Sequence, residues 1–141
     1  MATNGRVNGH ADGAHGRPDR AQLAADLRKL LTVSEVIDER SELQTYGYDA
    51  SFLTQLNPIP PDVAVIARST EDVAAVMRYA DQHAVPVTPR GAASGQTAAS
   101  VAVQGGIVLA MNALNRVLEL DRANMQVICE PGVVHAKLNE Q

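Results

Sequence analysis

Apolar and polar positions follow two rhythms along this chain. Leu23, Leu27, Leu30 and Leu31 recur at helical spacing, with Asp26, Arg28 and Lys29 on the other face. That pattern predicts an amphipathic helix from Asp19 that needs a partner surface. Asp49 to Asn57 has no helical period and runs into Pro58-Ile59-Pro60-Pro61, where three prolines remove backbone donors and favour extended geometry. The β-branched run Asp62 to Ala67 then predicts a buried strand. Ser69 stands three residues before Asp72 and opens a capped helix, on which Val73, Val76, Met77 and Ala80 form one inward stripe. His83 closes that helix and Ala84 to Pro89 predicts the next strand, a β-α-β unit with a right-handed connection.

Downstream, Gly105 to Met111 returns to strand, and Asn112 to Asn115 is a polar turn. Val117 to Leu120 and Met125 to Cys129 predict two short strands joined by a turn at Asp121 to Asn124. Pro131-Gly132 interrupts, and Val134 to Gln141 begins another helix, with no Gly, Asn or Pro after Glu140 to stop it. The expectation is a chain truncated relative to a working protein. Met1 to Pro18 is polar and glycine-rich, which predicts a disordered leader. The organisation expected is a leader over 1–18, a helical lead-in over 19–57 and a truncated domain over 58–141.

At 141 residues and 15.0 kDa there is room for one modest domain or part of a larger one. Hydrophobic residues make up 45% and aromatics only 3%, so the core must be built from Ala, Val, Leu and Ile. Small aliphatics suit helix-on-sheet layers. A formal charge of -4 leaves no basic excess for a nucleic-acid partner. Cys129 is the only cysteine, which excludes an intrachain disulfide and a cysteine-based zinc site and points to a reducing cytoplasm. No apolar run approaches the roughly 18–20 residues of a membrane helix. His10 and His15 read as solvated tail residues, and Met77 and His83 as a core residue and a helix end, so no metal site is expected.

Composition asks for a functional explanation in one place. Arg90-Gly91-Ala92-Ala93-Ser94-Gly95-Gln96-Thr97-Ala98-Ala99-Ser100 carries only small side chains after the arginine, apart from Gln96. Small side chains let backbone N–H groups approach a ligand, and consecutive N–H groups can form a concave anion site. The segment lacks the Gly-x-Gly-x-x-Gly of dinucleotide folds and the Gly-Lys-Ser/Thr of triphosphate loops. Nor is Ser94 in a Gly-x-Ser-x-Gly nucleophile elbow. Spacing alone leaves a structural loop and an anion-binding loop both open.

Pro86 to Gly95, with Ser69-Thr70-Glu71-Asp72-Val73 upstream and Glu130-Pro131-Gly132-Val133 downstream, resembles the vanillyl-alcohol-oxidase type of FAD-binding domain. Within it the chain is most similar to the glycolate oxidase and D-lactate dehydrogenase branch, over roughly Tyr46 to Gln141. The resemblance implies an α+β fold: a small β-α-β lobe, then the first strands of a larger one. It implies FAD as cofactor, with its pyrophosphate wrapped by the loop and the Pro-Gly-Val segment against the flavin. The cofactor contacts carried over are Arg90, Gly91, Ala92, Ala93, Ser94, Gly95 and Gln96, then Gly132 and Val133. Family loops often read Gly where this chain has Ala93, Ala98 and Ala99, so a positive φ there would be strained. The implied chemistry is oxidation of a small hydroxy acid, with hydride passing to flavin N5 and electrons to dioxygen, a quinone or a partner carrier. No residue is assigned as the catalytic base, His83 and His135 included. A non-catalytic nucleotide or anion-binding module and a structural remnant stay open as alternatives.

Overall fold

The computed structural model describes residues 17–140. The expected leader, with His10 and His15, therefore lies outside the described residues up to position 16. The elements are α1 (Arg20–Leu30), β1 (Glu35–Ile37), α2 (Arg40–Leu43), a 3-10 turn (Gln44–Tyr46), α3 (Phe52–Leu56), β2 (Val63–Ile66), α4 (Thr70–Gln82), β3 (Val87–Arg90), β4 (Ile107–Ala110), β5 (Val117–Asp121), β6 (Gln126–Cys129) and α5 (His135–Leu138).

Four strands form one mixed sheet in the order β1-β2-β4-β3, with β2, β4 and β3 parallel and β1 antiparallel to β2. The expected strand-helix-strand unit is β2-α4-β3, but its two strands are not neighbours, because β4 lies between them. β4 is buried at all four positions, as a continuous apolar run covered on both faces must be. Alternation along the strands builds two cores. Val63, Val65, Ala67, Ile107 and Leu109 pack with Leu23 and Leu27 of α1 and Val76 and Ala80 of α4. Ala64 and Val108 face the other way, onto Ile37, Leu43 and Ala102.

α1 is capped by Asp19, whose Oδ1 accepts from the Gln22 amide at 2.9 Å, and α4 by Ser69, whose Oγ accepts from the Asp72 amide at 3.1 Å. On α4, Val76 and Ala80 are buried and Val73 half-buried, whereas Met77 is 49% exposed. The inward stripe is centred on Asp72, Val76 and Ala80 and widens toward Tyr79, so Met77 falls past its edge. Tyr79 instead donates its hydroxyl to Asp26 of α1 at 2.8 Å.

Asp72 is a buried hub. Its carboxylate accepts from the amides of Thr32, Val33 and Ser34 at 3.1, 3.1 and 2.8 Å, and from the Thr32 hydroxyl at 3.1 Å. Burial alone would raise this carboxyl, but the Ser34 side chain and those three amides outweigh it and hold it well below the ordinary carboxylate range.

Three elements depart from the sequence pattern. Asp49 to Asn57 contains the one-turn helix α3, whose Phe52, Leu53 and Leu56 stay exposed; with no buried stripe there is no period to detect. β1 lies inside the lead-in segment and joins the sheet through a three-residue ladder with β2. α5 stops at Leu138, with Asn139 as its C-cap, so the stop signal sits inside the stretch expected to continue as helix. β5 and β6 form a separate antiparallel pair, joined across 122–125 near the expected turn.

Candidate functional site

β3 and β4 are adjacent and parallel, which demands a crossover of about a dozen residues or more, usually a helix. Residues 91–106 supply it without a helix or strand. The first part is the small-residue loop, exposed at Gly91, Ala92, Ser94, Gly95 and Gln96 and half-buried at Ala93. The last part turns inward, burying Val101 and Ala102. Gly106, at φ 83, lets the chain pass so close to Pro86 that an added Cβ would lie 2.2 Å from its carbonyl oxygen.

Ala92 and Ser94 line one side of a cleft of about 740 Å³; Asn112, Asn115 and residues 131–138 line the rest, including Gly132, Val133, His135 and Lys137. The cleft lies past the carboxyl ends of β3 and β4, where ligands sit in open α/β sheets. Of the expected contacts, Ala92, Ser94, Gly132 and Val133 are thus brought to one cleft. Gly91, Ala93, Gly95 and Gln96 belong to the same loop without lining it. Sequence reasoning passed over Asn112, Asn115 and Lys137, which lie in polar turns or on a short helix and carry no spacing signal.

Arg90 does something different. Its guanidinium donates to the backbone carbonyls of Tyr48 at 2.7 Å, Thr45 at 3.0 Å and Ser100 at 3.5 Å, and it stands 5.7 Å from the Tyr46 ring centroid. Burial lowers its affinity for the proton, while Tyr46, Tyr48 and Asp49 act in the opposite sense.

The loop backbone is open for a ligand. Among the described residues, none of the N–H groups of residues 91–97 donates a hydrogen bond to the protein. A Cβ built at Gly91 or Gly95 meets nothing within 4 Å, and neither residue has a positive φ. Nothing in the fold itself therefore requires glycine at these two positions, and close approach by a bound group gives them a reason. The positions that do adopt left-handed backbone are alanines, Ala93 at φ 54 and Ala98 at φ 58, each costing about 1–2 kcal/mol. The loop fits an anionic cofactor, since free amides, open Cβ space and an adjoining cleft occur together.

Gly132 has an internal reason to be glycine. An added Cβ would lie 2.5 Å from the Met111 oxygen and 2.7 Å from the Leu114 oxygen, and its amide donates to Leu114 at 2.7 Å. Glu130 pins the same turn, accepting from the Arg116 amide at 2.7 Å and from its guanidinium at 2.7 and 3.0 Å. These bonds hold the Glu130 carboxyl below its usual range.

A parallel-centred sheet with an irregular small-residue crossover beside a cleft is an arrangement suited to a nucleotide cofactor. Residues 61–141 match the FAD binding domain family, and the chain belongs to that family, whose cofactor is FAD. It is 32% identical to D-2-hydroxyglutarate dehydrogenase of Stutzerimonas stutzeri over 84% of this chain and 25% of the relative. It is 29% identical to glycolate oxidase subunit GlcD of Bacillus subtilis over 69% of this chain and 20% of the relative. D-lactate dehydrogenase of Anaerostipes hadrus is 38% identical over 52% of this chain and 16% of the relative. The chain thus spans a quarter or less of the length of these relatives. Among solved structures, alkyldihydroxyacetonephosphate synthase superposes with a TM-score of 0.73 at 20% identity, over 92% of this chain and 26% of that one. p-Cresol methylhydroxylase gives 0.65 at 21% identity, over 85% and 24%. The fold and family read from the loop motifs are borne out. Among the described residues, no helix is long and apolar enough to cross a membrane.

Proposed function

We propose that this chain is the FAD-binding part of a flavin-dependent oxidoreductase that oxidises a small 2-hydroxy acid of the glycolate or D-lactate type. The observation that carries the reading is the loop after β3, where residues 91–97 offer N–H groups without protein partners and Gly91 and Gly95 leave open space. In this reading the amides of Gly91 to Gln96 hold the pyrophosphate, and Gly132 and Val133 present backbone to the flavin. Lys137 on the cleft wall adds positive charge for the anion. When bound, FAD supplies the two-electron oxidation of the substrate carbinol carbon. The substrate class is supported by the names of the relatives, since D-2-hydroxyglutarate, glycolate and D-lactate are all α-hydroxy carboxylates. Residues 58–141 are read as the FAD-binding domain and 19–57 as the segment that leads into it and joins it, since α1 packs in its core and β1 adds to its sheet, and the lone Cys129 suits a reducing cytoplasm.

Titrating the purified chain with FAD, followed by gel filtration, tests the reading. Retention of flavin absorbance with the protein is expected. Hydroxy-acid-dependent reduction of an artificial acceptor, assayed with glycolate, D-lactate and D-2-hydroxyglutarate in the longer protein, tests the substrate class. A chain stabilised by ADP or phosphate that retains no flavin is a non-catalytic nucleotide-binding module, and the proposal fails.

A further inference from the structure

The exposed loop is held from behind by a segment that contributes no lining residue to the cleft. The Ala50 amide donates to two loop carbonyls at once, Ala93 at 3.1 Å and Gly95 at 3.0 Å. Next to it, Asp49 is only 3% exposed. Its Oδ1 accepts from the Ser51 amide at 2.9 Å and lies 2.9 Å from the Thr54 hydroxyl, which in turn lies 2.6 Å from the Ser51 hydroxyl. The Asp49 amide donates to Thr54 Oγ1 at 3.2 Å, closing the cluster. Hydrogen bonding from Ser51 and then from Thr54 to Oδ1 holds the Asp49 carboxyl below its ordinary range against the opposing pull of burial, and Oδ2 is buried without a hydrogen-bond partner among the described residues. Arg90 completes the arrangement at the start of the loop, tying Thr45 and Tyr48 in this segment to Ser100 at the loop's far end.

We infer that residues 45–54 are a brace for the cofactor loop, and that Arg90 and Asp49 are positioning residues that set its backbone for FAD without touching the cofactor. The inference rests on the FAD reading above for its binding consequence, but the brace itself is a property of the unliganded chain. A loop of small side chains has no packing of its own to fix its path, and two of its residues, Ala93 and Ala98, are held in left-handed backbone. An external framework of hydrogen bonds supplies what the side chains lack. Arg90 suits the task because its planar fork can serve several carbonyls in fixed directions, which a lysine ammonium on a flexible stem cannot.

Arg90→Met and Asp49→Ala, with Arg90→Lys and Asp49→Asn as milder versions should either fail to fold, are compared with the parent by three measurements. These are FAD affinity by titration, thermal unfolding without ligand, and amide chemical shifts of the unliganded chain by NMR. The expected result is that each variant binds FAD at least about tenfold more weakly. The amides of residues 91–100 shift, and those of α1 and α4 do not. Arg90→Lys recovers little of the affinity, and Asp49→Asn recovers part of it, because Oδ1 remains as an acceptor. Weaker FAD binding by Arg90→Met with unmoved loop amides would make Arg90 a direct phosphate ligand and overturn the brace. Parent-like affinity and parent-like loop shifts in both variants would also overturn it. If the parent binds no FAD, the functional reading fails separately, and the loop shifts of the variants still decide whether the brace exists.

Discussion

Replacing Gly95 with valine separates what the loop does for the fold from what it does for a ligand. A Cβ at this position meets no protein atom within 4 Å, and the backbone is not left-handed. The fold therefore loses no contact, while the stiffer unfolded chain returns about 0.4–1 kcal/mol. The ligand side is different, because a branched side chain in that open space keeps the pyrophosphate from the neighbouring amides. Losing one charge-assisted hydrogen bond of about 1.5–3 kcal/mol raises the dissociation constant about 10- to 100-fold. Gly132→Ala provides the contrast, since its Cβ would lie 2.5 and 2.7 Å from backbone oxygens, and the chain must move at a cost of about 1–3 kcal/mol. Thermal unfolding without ligand and FAD titration should show Gly95→Val melting at or above the parent with weakened binding, and Gly132→Ala melting below it. If Gly95→Val binds FAD as the parent does, or destabilises the chain as much as Gly132→Ala, the assignment of the loop is wrong.

Asp72→Ala strands the amides of Thr32, Val33 and Ser34 and should cost about 3 kcal/mol in urea denaturation; a loss below 1 kcal/mol would mean the turn finds other partners. The folded-state pKa of Asp72 is lowered, so the unfolded chain takes up the proton first as pH falls. The stability it contributes is complete above about pH 4 and drains as pH drops toward the folded value, and acid unfolding of Asp72→Asn should show a shallower loss over that window. Replacing both Ala93 and Ala98 with glycine removes about 1–2 kcal/mol of left-handed strain per site and returns about 0.5–1 through the freer unfolded chain. The double variant should resist denaturant slightly better than the parent, and a lower midpoint would show that the two methyl groups pack. Gly106→Ala should leave little folded protein on a circular dichroism melt, because its Cβ meets the Pro86 oxygen at 2.2 Å.

Much of the α+β layout could be read from apolar spacing, because the elements that make the core bury one face or both. The stripe of α4 and the continuous run of β4 are cases in point, and the loop stood out because it had neither rhythm. What escaped detection buries little or pairs non-locally. β1 is three residues long and depends on register with β2. α3 turns Phe52, Leu53 and Leu56 outward. The placement of β4 between β2 and β3 is a long-range choice that no local window contains. In the site, glycine and small-residue content marked the loop, yet the direction of the Arg90 side chain could not be known. An arginine next to an anion-binding loop is ordinarily read as a ligand, and two of its three carbonyl partners lie 42 and 45 residues earlier.

The strand order also dictates when the sheet can exist during synthesis. β2 and β3 share no ladder, and each meets its parallel neighbour only in β4, which is made after both. Until residues 107–110 leave the ribosome, the nascent chain carries two parallel edges facing an empty slot, and unpaired edges invite pairing with other chains. The crossover over residues 91–106 is the tether that delivers β4 into that slot, and closing such long-range contacts is slow. A ribosome that pauses while translating this crossover therefore prolongs the aggregation-prone interval, whereas one that pauses after β4 has emerged does not.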